Sequence, residues 1–430
     1  MKKRIGIGII FICVFLIPIL VSIVTEIPNH NEENNIDFTS ISPSATSLTL
    51  LWNYSGINVG EVDISDNGEK IAVASIDDNR VYLFNNTANS SKSYEWYNTT
   101  SGSVQCVAIS SNGTYLVAGS NDNSVYYFNN SNLNPSNPEW NFSTSNIVRD
   151  VAISGDGGYI IAGGTDTQLY LFNHTNNYPK SPIWSAPIGD SIYSLDISKD
   201  GYYITSGSAS GDFYLHNRTS LDPMWNKNLG PAINSVCISE DGNYASAGTA
   251  SSMNEEFFLF HKANNSELWN YSVNAGILSI AMSDSGEIIS IGTTSGKFQV
   301  YYHNIPAPLW TYQEIGEIPE VDITSDGKFL VAGLYGQKKI LLFKQSSSTP
   351  IWQESFSSSV NSVKITPDGY YIIIGTQNSA CLYYFDVPPD EAPPDDPPSL
   401  MVPFGSFYMT ILILGIAVLV IIKKNKIRIK

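Results

Sequence analysis

Along most of the chain, apolar and polar residues alternate with a period of two, in short runs separated by glycine and small polar residues. The stretch VRDVAISGDGGYIIAGG at residues 148–164 shows the unit. VAIS reads as a short strand, A, because alternate apolar side chains give it one buried face. GDG reads as a tight turn, since Asp-Gly accommodates the positive φ of a two-residue hairpin. YIIAGG is a second strand, B, and the polar loop TDTQ follows it. LYLFN is a third, C, and a longer loop rich in Asn, Ser and Pro leads to a tryptophan on a fourth, D. Within the unit the period is 2 and not the 3.6 of a helix, which predicts an all-β fold.

The unit recurs. The turn glycine falls at Gly68, Gly113, Gly157, Gly201, Gly242, Gly286, Gly327 and Gly369, at spacings of 41 to 45 residues. The chain's eight tryptophans, Trp52, Trp96, Trp140, Trp184, Trp225, Trp269, Trp310 and Trp352, keep the same phase. Strand B ends at a glycine in seven of the eight units, with Ala74 in the first. Proline stands two residues before tryptophan at Pro138, Pro182, Pro223, Pro308 and Pro350. It cannot donate to a ladder, so D is expected at the outer edge of a four-stranded sheet. The tryptophans are then expected to fill the gaps between neighbouring sheets.

One such sheet cannot bury both of its faces, but a ring of them covers each face with the next sheet. The predicted fold is an eight-bladed β-propeller of four-stranded antiparallel blades, over residues 48–386. The last A-B-C group, residues 360–386, has no tryptophan strand after it. The first tryptophan, in LTLLWNYS, has no group before it. Joined, they make one blade from both ends of the domain, closed by an N-terminal outer strand.

These repeats resemble the WD-repeat and quinoprotein (PQQ-like) propeller families over residues 48–386, with the outer-strand tryptophan nearer the PQQ-like pattern. The Trp-Asp and Gly-His dipeptides of WD repeats are absent: Asn141 follows Trp140 and Ser185 follows Trp184. The quinoprotein resemblance implies an enzyme alternative, a dehydrogenase holding PQQ and calcium over the channel, often with the quinone stacked on adjacent cysteines. This chain has no Cys-Cys pair and no long inserted loops. The resemblance equally implies non-catalytic members that act as assembly platforms.

The chain's two ends change the picture from a lone propeller to a tethered one. Residues 1–4 are basic and residues 5–24 apolar, which reads as a signal peptide or a retained N-terminal membrane anchor. Residues 402–422 carry no charge and are followed by Lys423, Lys424, Lys426, Arg428 and Lys430, which predicts a transmembrane helix at 401–422 and a basic cytoplasmic tail at 423–430. Residues 25–47 form a polar linker. Residues 387–400, rich in Pro and Asp, read as an extended stalk reaching about 40 Å at ~3.1 Å per residue. The propeller is thereby expected outside a cell membrane, single-pass, or two-pass if the first segment is retained. The Asn/Ile/Lys-rich style suggests a prokaryotic, archaeal or bacterial, surface protein.

All 40 acidic residues lie between Glu26 and Asp396 and eight of the 23 basic ones in the tails, so the part between carries a formal charge of −25. Nucleic acid is excluded as a partner, because its phosphates draw on Lys and Arg clusters. Cys106, Cys237 and Cys381 show no metal spacing and read as buried small hydrophobes. Sequons at Asn53, Asn98, Asn141, Asn173, Asn217 and Asn270 suit a glycoprotein.

No GxSxG, HExxH or P-loop occurs. His174, His216, His261 and His303 fall at the end of strand C and read as surface turn histidines, so no catalytic or metal site and no cofactor are expected. Strand A should start at the channel mouth, where the equivalent residues are Glu61, Cys106, Asp150, Ser194, Ser235, Ser279, Glu320 and Ser362. Glu61, Asp150 and Glu320, with Arg149 beside Asp150, are the candidate binding residues. Such a ring offers a cation a seat, and solvated lining is the plainer reading. The function expected is a non-catalytic platform for a protein or glycan partner, with a structural envelope component and the PQQ dehydrogenase as alternatives.

Overall fold

Each repeat builds one four-stranded antiparallel sheet. In the first blade these are β2 (Val59–Ile64), β3 (Lys70–Ser75), β4 (Arg80–Asn85) and β5 (Trp96–Thr99), hydrogen-bonded in that order from the channel outwards. The computed structural model describes residues 48–87, 92–175, 179–250 and 255–387. The segments read as signal or anchor (1–24), linker (25–47), transmembrane helix (401–422) and tail (423–430) lie outside them, as does the stalk after Val387. Among the described residues, no helix is long and apolar enough to cross a membrane.

Six further blades repeat the plan, and the eighth is shared between the domain's ends. There β1 (Leu48–Ser55) pairs with β32 (Ser379–Phe385), outside β31 (Tyr371–Thr376) and β30 (Val360–Ile365). The register pairs Leu48 with Phe385 and Ser55 with Ser379, so both chain ends leave the ring side by side. They leave on the face that carries the A–B turns and C–D loops. The B–C turns and D–A loops form the far face.

The tryptophans lock blade to blade. Each packs on an aromatic ring of strand C in the next blade: Trp52 on Phe84, Trp96 on Phe128, Trp140 on Phe172, Trp184 on His216, Trp225 on Phe260, Trp269 on Tyr301, Trp310 on Phe343 and Trp352 on Tyr383. Centroids lie 5.1–5.8 Å apart. In four consecutive blades the indole also donates to the next blade's C–D loop, to the carbonyls of Arg218, Lys262, His303 and Gln345. His216 is therefore not a surface turn residue. It is 1% exposed and takes the place that Phe84, Phe128 and Phe172 hold elsewhere. His174 is exposed, and His261 and His303 are half-buried.

The A–B connection is longer than a two-residue hairpin. Strand A of the third blade ends at Ile153 and strand B starts at Tyr159, leaving five residues between them. A side-chain lattice fixes this loop. The Ser154 hydroxyl accepts from the Tyr159 amide at 3.0 Å and donates to Asp156 at 2.6 Å, and Asp156 accepts from the Gly158 amide at 2.7 Å. Gly157 sits at φ 73° over the Tyr115 ring of the preceding blade, and a Cβ there would come within 2.2 Å of that ring. Position and contact together require glycine.

Candidate functional site: the central channel

The inner strands leave a channel with a cavity of about 430 Å³. Glu61, Asp150 and Glu320 all line it. Arg149 does not; its guanidinium stands over the Tyr193 ring, 5.1 Å from the centroid. Ser194, Ser235 and Ser279 complete most of the ring nearer the far face. Cys106 is buried.

Period-two alternation places a second ring one step deeper, which the sequence reading missed. It holds Asp63, Asp196, Asp322 and Lys364, two residues beyond Glu61, Ser194, Glu320 and Ser362. The signal was available in the i, i+2 rule for strands. The equivalents elsewhere are Ala108, Ala152, Cys237 and Ala281, so no shared residue marks the position.

Most of these side chains also tie the ring together. Glu61 accepts from the Val107 amide of the next blade at 3.0 Å, and Asp63 from Ile109 at 2.7 Å. Asp150 accepts from Leu195 at 2.8 Å, Asp196 from Ile238 at 2.9 Å and Asp322 from Ile365 at 2.8 Å. Ser194 and Ser279 accept from Val236 and Val321, both at 3.1 Å. Ser362 accepts from Val62 at 3.2 Å across the seam between the eighth blade and the first. The Asn361 side-chain amide donates to the Val59 carbonyl across the same seam at 2.6 Å.

Lys364 projects among the acids, 3.7 Å from Glu320. Water reaches the site, since the Glu320 side chain is 23% exposed, yet protein surrounds every carboxylate. Burial pushes Asp150 up to about 7, with Asp196 and Glu320 adding repulsion. Burial likewise lifts Asp63 and Glu320 to about 6. Glu61 is raised by burial and then by Asp150 and Glu320. Burial alone would lower Lys364, but Asp322, Glu320, Asp63 and Glu61 together hold it above the usual lysine range.

At the chain-end face, Lys199 of the fourth blade reaches Asp66 of the first at 3.0 Å and Glu240 of the fifth at 2.7 Å. Blades one and five are diametrically opposite, so this bridge spans the channel. Backbone bonds link neighbouring turns below it, Asp66 to Ser111, Ser111 to Gly155, Gly155 to Lys199 and onward to Pro367. The seam breaks this belt, because Pro367 has no N–H to offer Asp66.

The geometry carries latches and charge. Among the described residues, no three of His, Cys, Asp and Glu come together to hold a metal ion. Cys106 and Cys237 are raised above the usual thiol range by burial and neighbouring carboxylates, which suppresses thiolate.

Residues 91–129 and 137–173 match the WD domain, G-beta repeat family. Each matched segment begins near one blade's tryptophan strand and runs through strands A, B and C of the next, so it spans an interlocked joint between blades. No curated protein matches the chain. Propellers of that family are in general non-enzymatic platforms for protein interaction, and this eight-bladed propeller accords with them.

Proposed function

We propose that the chain is a non-catalytic interaction platform, a propeller tethered outside a membrane that engages a protein or glycan partner through the face opposite its chain ends. The observation that carries this reading is the exit geometry. Leu48 and Phe385 are paired neighbours, so the described propeller begins and ends at one place on one face. The apolar, uncharged residues 402–422 and the basic tail that follows supply the tether. The match to repeats of an interaction family supports a platform.

Protease added to intact cells tests the topology. The propeller's loops or the stalk are cut while the 423–430 tail stays protected. Protection of the whole domain overturns the external location. The quinoprotein alternative forecasts that the protein with PQQ and calcium reduces a dye in the presence of alcohols or sugars. The platform reading forecasts no reduction above a heat-denatured control.

A further inference from the structure

The channel is lined mainly by acids, with a lysine at each of two levels. Lys199 bridges Asp66 and Glu240 at its chain-end mouth. Lys364 stands in the eighth blade, between Glu320 and Asp322 of the seventh and Glu61 and Asp63 of the first, and compensates that side. Asp196 of the fourth blade still feels Lys364 across the channel, whereas Asp150 of the third meets further repulsion from Asp196 and Glu320. The fifth blade adds an independent sign. Ser235 lines the cavity, is only 7% exposed, and its hydroxyl has no partner among the described residues. Its equivalents Ser194, Ser279 and Ser362 all accept an amide from the next blade.

We infer that the channel binds an organic ammonium group held by Asp150, Asp196 and Ser235. An ammonium presents three donors on a compact charge, and these three side chains present three acceptor groups. Both Asp196 oxygens already accept amides, from Ile197 and Ile238, but each keeps lone-pair capacity for a further donor. A bare metal ion fits less well, because no three acids here converge on one point. An anion is repelled by the lining. A cavity of about 430 Å³ admits an alkyl chain behind the charged head, within the usual range of small-ligand sites.

This rests on the reading of the chain as a binding protein and names the chemistry of its partner. Two sources share that chemistry, a free polyamine and a lysine side chain of a protein. The test uses the full chain in detergent, titrated calorimetrically with spermidine and, separately, with an N-acetyl-glycyl-lysyl-glycine amide. Saturable one-to-one binding is expected. It weakens at least tenfold in Asp150→Asn, which keeps an acceptor for the Leu195 amide and loses the charge. It weakens about threefold in Ser235→Ala and is unchanged in the exposed control Glu287→Gln. Binding of spermidine alone assigns the site to a free polyamine; binding of the lysine peptide as well assigns it to a protein side chain. Binding of neither probe overturns the inference, as does equal binding by Asp150→Asn or an equal heat from magnesium chloride. If the inference falls while a far-face cross-link to a partner persists, the platform reading stands without it.

Discussion

Single residues decide how closely blades approach. Gly157→Ala costs about 1–2 kcal/mol for the left-handed backbone alone, and its methyl group must also displace the Tyr115 ring. Gly189 has a comparable φ of 93°, and nothing lies within 4 Å of where a methyl group would sit, so Gly189→Ala costs only the backbone part. Denaturant unfolding of the two variants measures the difference. His216 makes a second case. Its Nδ1 is buried without a partner, and burial pulls its pKa down to about 4. The folded state therefore resists protonation: stability is present above the ordinary 6.5 and is lost as pH falls towards 4. His216→Phe restores the residue of neighbouring blades, stabilises by about 1 kcal/mol through removal of an unpaired polar atom, and abolishes that acid loss. Asp150 has the opposite sign. Its pKa is raised from 3.8 to about 7, so its contribution is fully present below 3.8 and is lost as pH rises through 7. Melting curves from pH 4 to 8 on His216→Phe and Asp150→Asn separate the two, because each variant flattens one limb. Neither residue was legible in full from the sequence. A histidine ending strand C looks like any turn residue until Trp184 of the preceding blade is placed against it, 5.7 Å away.

At the scale of elements, the repeat was readable because each unit solves the same packing problem. The tryptophan phase marked strand D and its contact with the next sheet. The terminal glycine of strand B also has a reason that lies in the neighbour. A Cβ at Gly207 would come within 2.4 Å of Ile233 at the start of the next blade's strand A. The length of the A–B loop was not readable, since Asp-Gly marks a turn without saying where the ladder resumes; the serine lattice around Ser154 decides it. The second channel ring was hidden for another reason. Its members range from alanine to lysine, so the repeat gives the position no signature. The closing strand β1 carries the clearest prediction. Trp52 is 1% exposed in a cluster that spans the last and first blades. Removing residues 48–55 exposes that cluster, and the melting temperature falls by on the order of 10 °C, taking a buried tryptophan as ~3–5 kcal/mol. An unchanged melting temperature contradicts closure by β1.

For the whole molecule, ring closure and exit geometry give the two faces different duties. The chain-end face carries the Lys199 bridge and both ends of the propeller. The far face carries Ile315 and Tyr335, which are 78% and 39% exposed. The tether, the glycan chains and the partner were expectations of the sequence, and of the sequons Asn53, Asn141 and Asn270 sit exposed on outer strands. The most direct test of the account places a photo-crosslinking amino acid at Tyr335 on the far face or at Leu221 on the chain-end face, in intact cells expressing the full chain. The account predicts a discrete cross-linked partner from position 335 and none from position 221. A partner captured only from position 221, or from neither position, contradicts it.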